Sequence, residues 1–266
     1  MARRTRHKSK KRKTLLYSLI KVFVLAVMLA AIVFLAHRYY FKISPGAGAR
    51  IPKGDYCIGI DVSKYQPDIQ WKDLKVLIDE RGITTDSPDK AKEERKVSFV
   101  FIKATEGASH TDKKFKHHWK NAGKVGIRRG AYHFFRSSKD PERQAKHFIK
   151  TVGKLSENDL PPVLDIETIH DGCTEKTLNQ NALIWLKAVE KHYGRKPIVY
   201  SSASFINNIL CEEIKENYHI WVAHYETMRP RCKEWHIWQF SDQANIYGID
   251  GGVDINVTTP DFLKSI

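Results

Sequence analysis

The chain has 266 residues, which is enough for one barrel-sized domain with an appendage but short for two such domains. Its formal net charge is +15 at pH 7, yet the excess is local, because residues 1–21 hold nine Lys or Arg and no acid. Beyond residue 53 the basic and acidic residues nearly balance. The bulk of the chain therefore lacks the basic character of a nucleic-acid-binding domain, and we expect no nucleic-acid partner.

An apolar segment follows the basic N-terminus and runs without a charged residue from Val22 to Ala36. About 20 helical residues span a bilayer. A cleaved signal peptide is the alternative, but the region before His37 lacks a small-x-small cleavage site. We predict a basic cytoplasmic tail at 1–14, a transmembrane signal anchor at 15–41 and a linker at 42–54. The predicted location is the cytoplasmic membrane, single-pass, with the N-terminus inside, residues 55–266 in the periplasm or extracytoplasmic space, and the lipid bilayer as a partner of the N-terminal helix.

Four cysteines lie in the part of the chain predicted to be exported: Cys57, Cys173, Cys211 and Cys232. Disulfides are permitted there, and four cysteines allow three pairings, among which the sequence does not choose. No pair has zinc-finger spacing, so we expect structural cysteines and no metal site.

Strand and helix patterns alternate from residue 55 onward. Strands are predicted at 57–62, 97–103, 130–135, 162–167, 197–201, 220–224, 236–240 and 253–257. Helices are predicted at 70–81, 112–124, 140–153, 174–193 and 203–211. Five strand-helix units followed by three strands indicate an α/β fold, a TIM-like barrel over 55–266 preceded by one N-terminal transmembrane helix. The polar segment 81–96 is predicted to be an inserted surface loop or a helical extension.

Four acids stand in or at the ends of these apolar strands: Asp61, Asp165, Glu167 and Asp254. In an α/β barrel, catalytic residues lie at the C-terminal ends of the strands. Asp165 and Glu167 are two residues apart on a strand, so their side chains share a face. Cleavage of a glycosidic bond requires two such carboxyl groups, one protonated and one ionised. For this pair taken alone, however, a structural or salt-bridge role is the commoner outcome.

Eight sequence blocks, in order, resemble the glycoside hydrolase family 25 lysozymes, the Chalaropsis-type muramidases. They are GIDVSKYQ (59–66), FVFIKATEG (99–107), GAYHFF (130–135), VLDIE (163–167), PIVYS (197–201), WVAHY (221–225), WQFS (238–241) and GVDIN (252–256). The resemblance covers nearly all of residues 56–258 and implies a barrel of five strand-helix units plus three strands. It departs from the family at the 81–96 insertion and at the N-terminal anchor.

The resemblance implies hydrolysis of the bond between N-acetylmuramic acid and N-acetylglucosamine in peptidoglycan glycan strands. Glu167 matches the catalytic acid and Asp165 its partner, which orients the substrate's 2-acetamido group in a retaining, substrate-assisted route; an inverting route is the alternative. Asp61 and Asp254 match the pocket's two other acids. The resemblance implies no cofactor and no metal, and we expect a monomer.

Six aromatic residues sit at or near predicted strand ends, where their rings could line a sugar groove. For each one alone, core packing is about as plausible as substrate contact. These candidate substrate-binding residues are Tyr132, Phe134, Tyr200, Trp221, Tyr225 and Trp238.

Three alternatives stay open on the sequence alone. The first is a catalytically weak peptidoglycan-binding module that uses the same groove, although retention of Asp165 and Glu167 argues against it. The second treats the four acids as a Mg²⁺ or Ca²⁺ site of a phosphodiester-cleaving barrel. The third assigns the function to the basic tail, which a positive-inside topology signal explains more simply.

Overall fold

The computed structural model describes residues 48–225, 229–232 and 234–266, together with residues 21, 23–25, 27–29 and 32. Residues 46–266 form one compact unit, and the other unit, residues 1–45, lies mostly outside the described residues. Within the described residues the strands are β1 (Cys57–Val62), β2 (Lys75–Asp79), β3 (Thr84–Thr85), β4 (Ala91–Lys96), β5 (Phe99–Glu106), β6 (His110–Thr111), β7 (Arg128–Phe134), β8 (Val163–Asp165), β9 (Ile198–Ser202), β10 (His219–Ala223), β11 (Ile237–Asn245) and β12 (Gly252–Thr258).

Among the described residues, eight of these strands close a barrel in the order β1, β5, β7, β8, β9, β10, β11, β12 and back to β1. Neighbouring strands are parallel except at β12, which runs antiparallel to both β1 and β11. The barrel is therefore mixed. Since β12 is reversed, the start of β12 lies at the same rim as the carboxyl ends of the other strands.

The helices cover the outside of the barrel, and four of those described begin at a residue whose side chain accepts a hydrogen bond from the first turn. In the described part of the chain they are α1 (Phe115–Lys124), α2 (Pro141–Val152), α3 (Glu175–Tyr193), α4 (Ala203–Asn208), α5 (Glu212–Asn217) and α6 (Pro260–Ser265). The Asp140 carboxylate accepts a hydrogen bond from the Arg143 amide at the start of α2, and Thr174 caps α3 in the same way. Gly194, with φ at +64°, ends α3.

The first strand-helix unit differs from the prediction. The segment predicted as helix 70–81 contains β2, and the predicted insertion 81–96 forms β3, a 3-10 helix (Pro88–Lys90) and β4, which pair with β2 in a small antiparallel sheet. The Asp79 carboxylate accepts hydrogen bonds from the amides of Arg81 and Ile83, and Gly82 has φ at +76°. This turn reverses the chain where a helix would have to continue, so among the described residues no helix follows β1, and only four of the first five barrel strands are followed by helices.

The N-terminal predictions are also corrected. No helix found among the described residues is long and apolar enough to cross a membrane. This finding contradicts the predicted transmembrane helix and the predicted single-pass location in the cytoplasmic membrane. Most of residues 15–41 lie outside the described residues.

Every second side chain of each strand points into the barrel. Beneath the rim formed by the carboxyl ends of the parallel strands, the interior is lined by aromatic rings. Phe101 stacks on Trp221 with ring centroids 4.6 Å apart, and Tyr200 meets the same indole edge-on at 4.6 Å. Gly130 makes room for this layer, because a Cβ there would lie 2.4 Å from the Phe101 ring. The aromatic layer forms an apolar floor directly beneath the polar residues of the rim.

Candidate active site

A cavity of about 210 Å³ opens at the rim where the carboxyl ends of the parallel strands meet the start of β12. All four predicted acids line it, although they come from three different strands and the residues just after β8. The full lining consists of Asp61, Val62, Ser63, Tyr65, Gln66, Lys103, Tyr132, Phe134, Asp165, Glu167, Tyr200, Trp221, Gln239 and Asp254.

Asp61 and Asp254 face each other across β1 and β12, whose register pairs them directly, and their side chains are hydrogen-bonded. Asp61 Oδ2 also accepts hydrogen bonds from the amides of Gln239 (2.9 Å) and Asn256 (2.8 Å). Three donors on one carboxylate stabilise its ionised form. Asp61 is therefore the charged member of the pair and Asp254 the one that carries the proton.

The pKa values of this pair separate accordingly. Burial raises the pKa of Asp61 to about 6, and the hydrogen bonds from Asn256 and Gln239 limit the rise. Burial, together with the negative charge of Asp61, raises the pKa of Asp254 to about 9. Near neutral pH the pair accordingly holds one proton and one negative charge.

Asp165 and Glu167 form a second hydrogen-bonded carboxyl pair at the end of β8. Asp165 is only 5% exposed, whereas Glu167 lies exposed at the rim. Burial and the charge of Glu167 raise the pKa of Asp165 well above its ordinary value. Desolvation also raises the pKa of Glu167, but the hydrogen bond from Asp165 and the positive charge of Lys103 oppose it. These opposing effects favour Asp165 over Glu167 as the holder of the shared proton.

Lys103 is a cavity residue that the sequence prediction missed. Its Nζ donates to Glu106 Oε2 at 2.8 Å and lies 4.7 Å from the centroid of the Phe134 ring. Burial alone would raise the pKa of Glu106, but hydrogen bonds from Lys103 and Arg136 lower it to about 2. Glu106 stays ionised and holds the lysine beside Asp165 and Glu167. The signal for Lys103 was its position, two residues after Phe101, on the inward face of β5.

Four of the six predicted aromatic residues line the cavity: Tyr132, Phe134, Tyr200 and Trp221. Trp221 is 2% exposed and belongs to the floor, where its Nε1 donates to Asn256 Oδ1 at 2.8 Å. Tyr225 is exposed and lines an adjoining cavity that also contains Glu167 and Tyr200. The hydroxyls of Tyr200 and Tyr225 both donate to Gln239 Oε1, at 2.8 Å and 2.9 Å. The two tyrosines thereby fix the amide that donates to Asp61.

Trp238, the sixth predicted aromatic residue, does not line the cavity. It is 1% exposed, its ring lies edge-on to Trp235 and Phe240, and its Nε1 donates to the carbonyl of His224 at 2.8 Å. Its side chain points outward from β11, while those of the neighbouring residues Ile237 and Gln239 point inward. The structure thus places Trp238 in the hydrophobic core between barrel and outer elements.

Tyr65 and Gln66 were also missed, although both lie in the first block of the resemblance. They follow β1 in the loop beyond Asp61 and line the cavity. The Gln66 Oε1 accepts a hydrogen bond from the Ser63 amide, which holds this loop. Tyr65 is 76% exposed, and the Lys64 Nζ lies 5.2 Å from the centroid of its ring.

In the described ranges, no group of three or more His, Cys, Asp or Glu residues is arranged to hold a metal ion. The rim instead presents two carboxyl pairs, each with one proton to share. Such an arrangement can protonate a leaving oxygen and stabilise a neighbouring positive charge within one cavity.

Comparison with known proteins places these features in a family. The model of the glycosyl hydrolases family 25 matches residues 60–249. The uncharacterized protein YegX of Escherichia coli O6:H1 is 38% identical over 223 residues, which are 83% of this chain and 76% of that protein. Lysozyme M1 of Streptomyces globisporus is 31% identical over 212 residues, 74% of this chain and 66% of that protein.

Solved structures agree with the sequence matches. The crystal structure of a bacterial lysozyme from Streptomyces coelicolor superposes with a TM-score of 0.67 at 28% identity and covers 79% of this chain and 96% of that one. The predicted resemblance is thereby confirmed: the chain belongs to glycosyl hydrolases family 25.

Proposed function

We propose that the chain is a lysozyme, an N-acetylmuramidase that hydrolyses the β-1,4 bond between N-acetylmuramic acid and N-acetylglucosamine in peptidoglycan. The observation that carries the proposal is the Asp165–Glu167 pair, with one buried and one exposed carboxyl group in hydrogen-bond contact at the barrel rim. The names of the related lysozymes support the same substrate.

Glu167 is the proposed general acid, and it receives its proton from Asp165 when the substrate binds. The N–H of the sugar's 2-acetamido group donates to Asp165, which stabilises the ionised form of Asp165 and lowers its pKa. The proton then passes along the existing hydrogen bond to Glu167, which delivers it to the leaving oxygen. The acetamido oxygen attacks the anomeric carbon, and the oxazolinium that forms is stabilised by the Asp165 carboxylate. Water later opens this ring, with Glu167 as the base.

The spacing of the pair favours this retaining route over inversion. Inverting enzymes keep their two carboxyl groups roughly 6.5–9.5 Å apart so that a water molecule fits between them. Asp165 and Glu167 are in hydrogen-bond contact, which leaves no such room. An inverting route would have to recruit Asp61 or Asp254 as the base.

The other cavity residues receive supporting roles. Asp61 and Asp254 set the charge next to the reacting sugar, and Asp61 is held by Gln239 and Asn256. Tyr132, Phe134, Tyr200 and Tyr225 contact the sugar rings, while Trp221 supports the floor. The described chain contributes all four acids itself, so we retain the monomer as the working state.

The test is digestion of purified peptidoglycan by the full chain, followed by borohydride reduction and mass spectrometry of the new reducing ends. We expect reduced N-acetylmuramic acid from the wild type and none above background from Glu167→Gln. Glu157→Gln, a change at an exposed acid outside the cavity, serves as the matched control and retains activity. Intact glycan with the folded wild type, despite binding to the wall, would favour the binding-module alternative.

A further inference from the structure

A second cavity, of about 520 Å³, lies at the opposite end of the barrel. It is bounded by Cys57 at the start of β1, by Ser98 just before β5, by Ile127 just before β7 and by Leu263 of α6. These positions are the amino-terminal ends of the parallel strands, so the cavity is separated from the carboxylate rim by the length of the barrel. β5 alone spans eight residues, or about 26 Å at the usual rise of an extended strand.

The charged side chains that line this cavity are all cations. They are Lys72, Lys96, Arg128 and Lys264, and the lining contains no Asp or Glu from the described residues. Within those residues, none of the four is ion-paired with a side-chain carboxylate. Arg128 uses its donors on the carbonyl oxygens of Asn158, Leu263 and Ile266. All three guanidinium nitrogens are thus engaged by backbone oxygens, and the cations that remain for a ligand are the three lysines.

An aromatic ring forms part of the cavity wall: Trp71 is 6% exposed and lines the cavity. The remaining wall is apolar, with Leu74, Val97 and Ile127 beside the ring. Together these groups suit a ligand that has carboxylates on a small apolar frame.

We infer that the basic cavity binds a carboxylate-bearing peptide, the stem peptide of peptidoglycan, as a second wall-binding site. The inference rests on the proposed function, since that substrate carries such peptides. The volume falls within the range of roughly 300–1,000 Å³ that is usual for small-ligand pockets. Because the two sites lie at opposite ends of the barrel, the peptide belongs to a different glycan strand from the one being cut. Holding two strands at once raises the residence time on the wall.

The test measures binding of a synthetic, N-acetylated stem peptide, L-Ala-γ-D-Glu-L-Lys-D-Ala-D-Ala, to the full chain by titration calorimetry at low salt. We expect the triple variant Lys72→Gln/Lys96→Gln/Lys264→Gln to bind it roughly tenfold more weakly, because three modest ion pairs are removed together. The triple Lys→Arg variant retains the charges and restores binding.

A charge-matched control changes three exposed lysines outside the cavity, Lys150, Lys154 and Lys191, to Gln and leaves peptide affinity unchanged. The inference is overturned if the wild type does not bind the peptide, if the cavity variant binds it as well as wild type, or if a fully amidated peptide binds equally well. Cleavage of peptide-free glycan is measured in parallel. If the wild type cleaves glycan but does not bind the peptide, only this inference is contradicted. If it binds the peptide but does not cleave glycan, the proposed function is contradicted.

Discussion

Asp61 and Asp254 sit opposite each other on antiparallel strands and share a hydrogen bond, so that one carboxyl group keeps its proton while the other is ionised. The asymmetry arises because Asp61 Oδ2 accepts from Gln239 and Asn256. Burial without comparable donors leaves Asp254 neutral.

Asp254→Asn should therefore be tolerated better than Asp61→Asn. An amide can imitate the protonated Asp254 by donating to Asp61, so we expect kcat/KM within about tenfold of wild type. Asp61→Asn removes the negative charge that accepts hydrogen bonds from Gln239, Asn256 and Asp254. It should therefore lower kcat/KM much more than Asp254→Asn does. Peptidoglycan turbidity assays on both variants test the order, and equal losses would contradict the assignment of the proton.

The same pair makes stability depend on pH. Asp254 has a pKa of about 9 in the fold and an ordinary value near 4 when unfolded, so the folded state binds more protons between these values. Stability contributed by the protonated form is present below the unfolded pKa and is lost as pH rises toward the folded pKa. Urea unfolding across this range should show the wild type losing up to about 1.4 kcal/mol per pH unit, and Asp254→Asn losing less. Parallel curves for the two proteins would refute this.

Removing either member of the proposed catalytic pair, Asp165 or Glu167, should strongly reduce turnover without unfolding the protein. We expect Glu167→Gln and Asp165→Asn each to lower kcat/KM by roughly 10²–10⁴-fold, the usual contribution of general acid–base catalysis. Because Asp165 is buried and its raised pKa favours the neutral form, Asp165→Asn should leave the melting temperature unchanged or raise it. A large fall in melting temperature would instead mean that the carboxyl group is structural.

Lys103 should set the pH range of activity. Its positive charge opposes the rise in the pKa of both Asp165 and Glu167. In Lys103→Met both values should rise, so the pH–rate profile should move toward higher pH. Lys139→Met, at an exposed lysine outside the cavity, is the control and should keep the wild-type profile. A loss of rate with an unmoved profile would show that Lys103 acts only by packing.

Substitution of Trp238 distinguishes a role in core packing from a role in substrate binding. Trp238→Phe removes the 2.8 Å hydrogen bond to the His224 carbonyl and part of a buried ring, which should destabilise the fold by about 1–3 kcal/mol. KM should stay at the wild-type value, since the side chain does not line the cavity. Denaturant unfolding and steady-state kinetics on the same preparation measure both quantities. A raised KM with an unchanged free energy of unfolding would instead show that Trp238 binds substrate.

Tyr65 should show the opposite behaviour. It is exposed and lines the cavity, so Tyr65→Ala should raise KM with little change in unfolding free energy. Ile184→Ala, at an exposed apolar residue of α3, is the control and should alter neither. An unchanged KM for Tyr65→Ala would show that the Tyr65 ring does not contribute to substrate binding.

The sequence by itself determined the barrel strands and the four acids, because both depend on local patterns. Apolar runs with β-branched residues mark strands whatever their partners are, and acids at their ends mark the rim. The family blocks, from GIDVSKYQ to GVDIN, made the same elements recognisable.

Only the tertiary structure decided what depends on pairing. Residues 75–79 contain a short apolar run, Val76 to Ile78, whose periodicity does not distinguish a strand from a helix, and it is their hydrogen bonds to β3 and β4 that make them a strand. The inward or outward direction of Trp221 and Trp238 follows from strand register, which no single strand reveals. The proton positions follow from donors such as Gln239, which lies 178 residues from Asp61 in the chain. A pKa is set by neighbours in space, so it could not be derived until the barrel had closed.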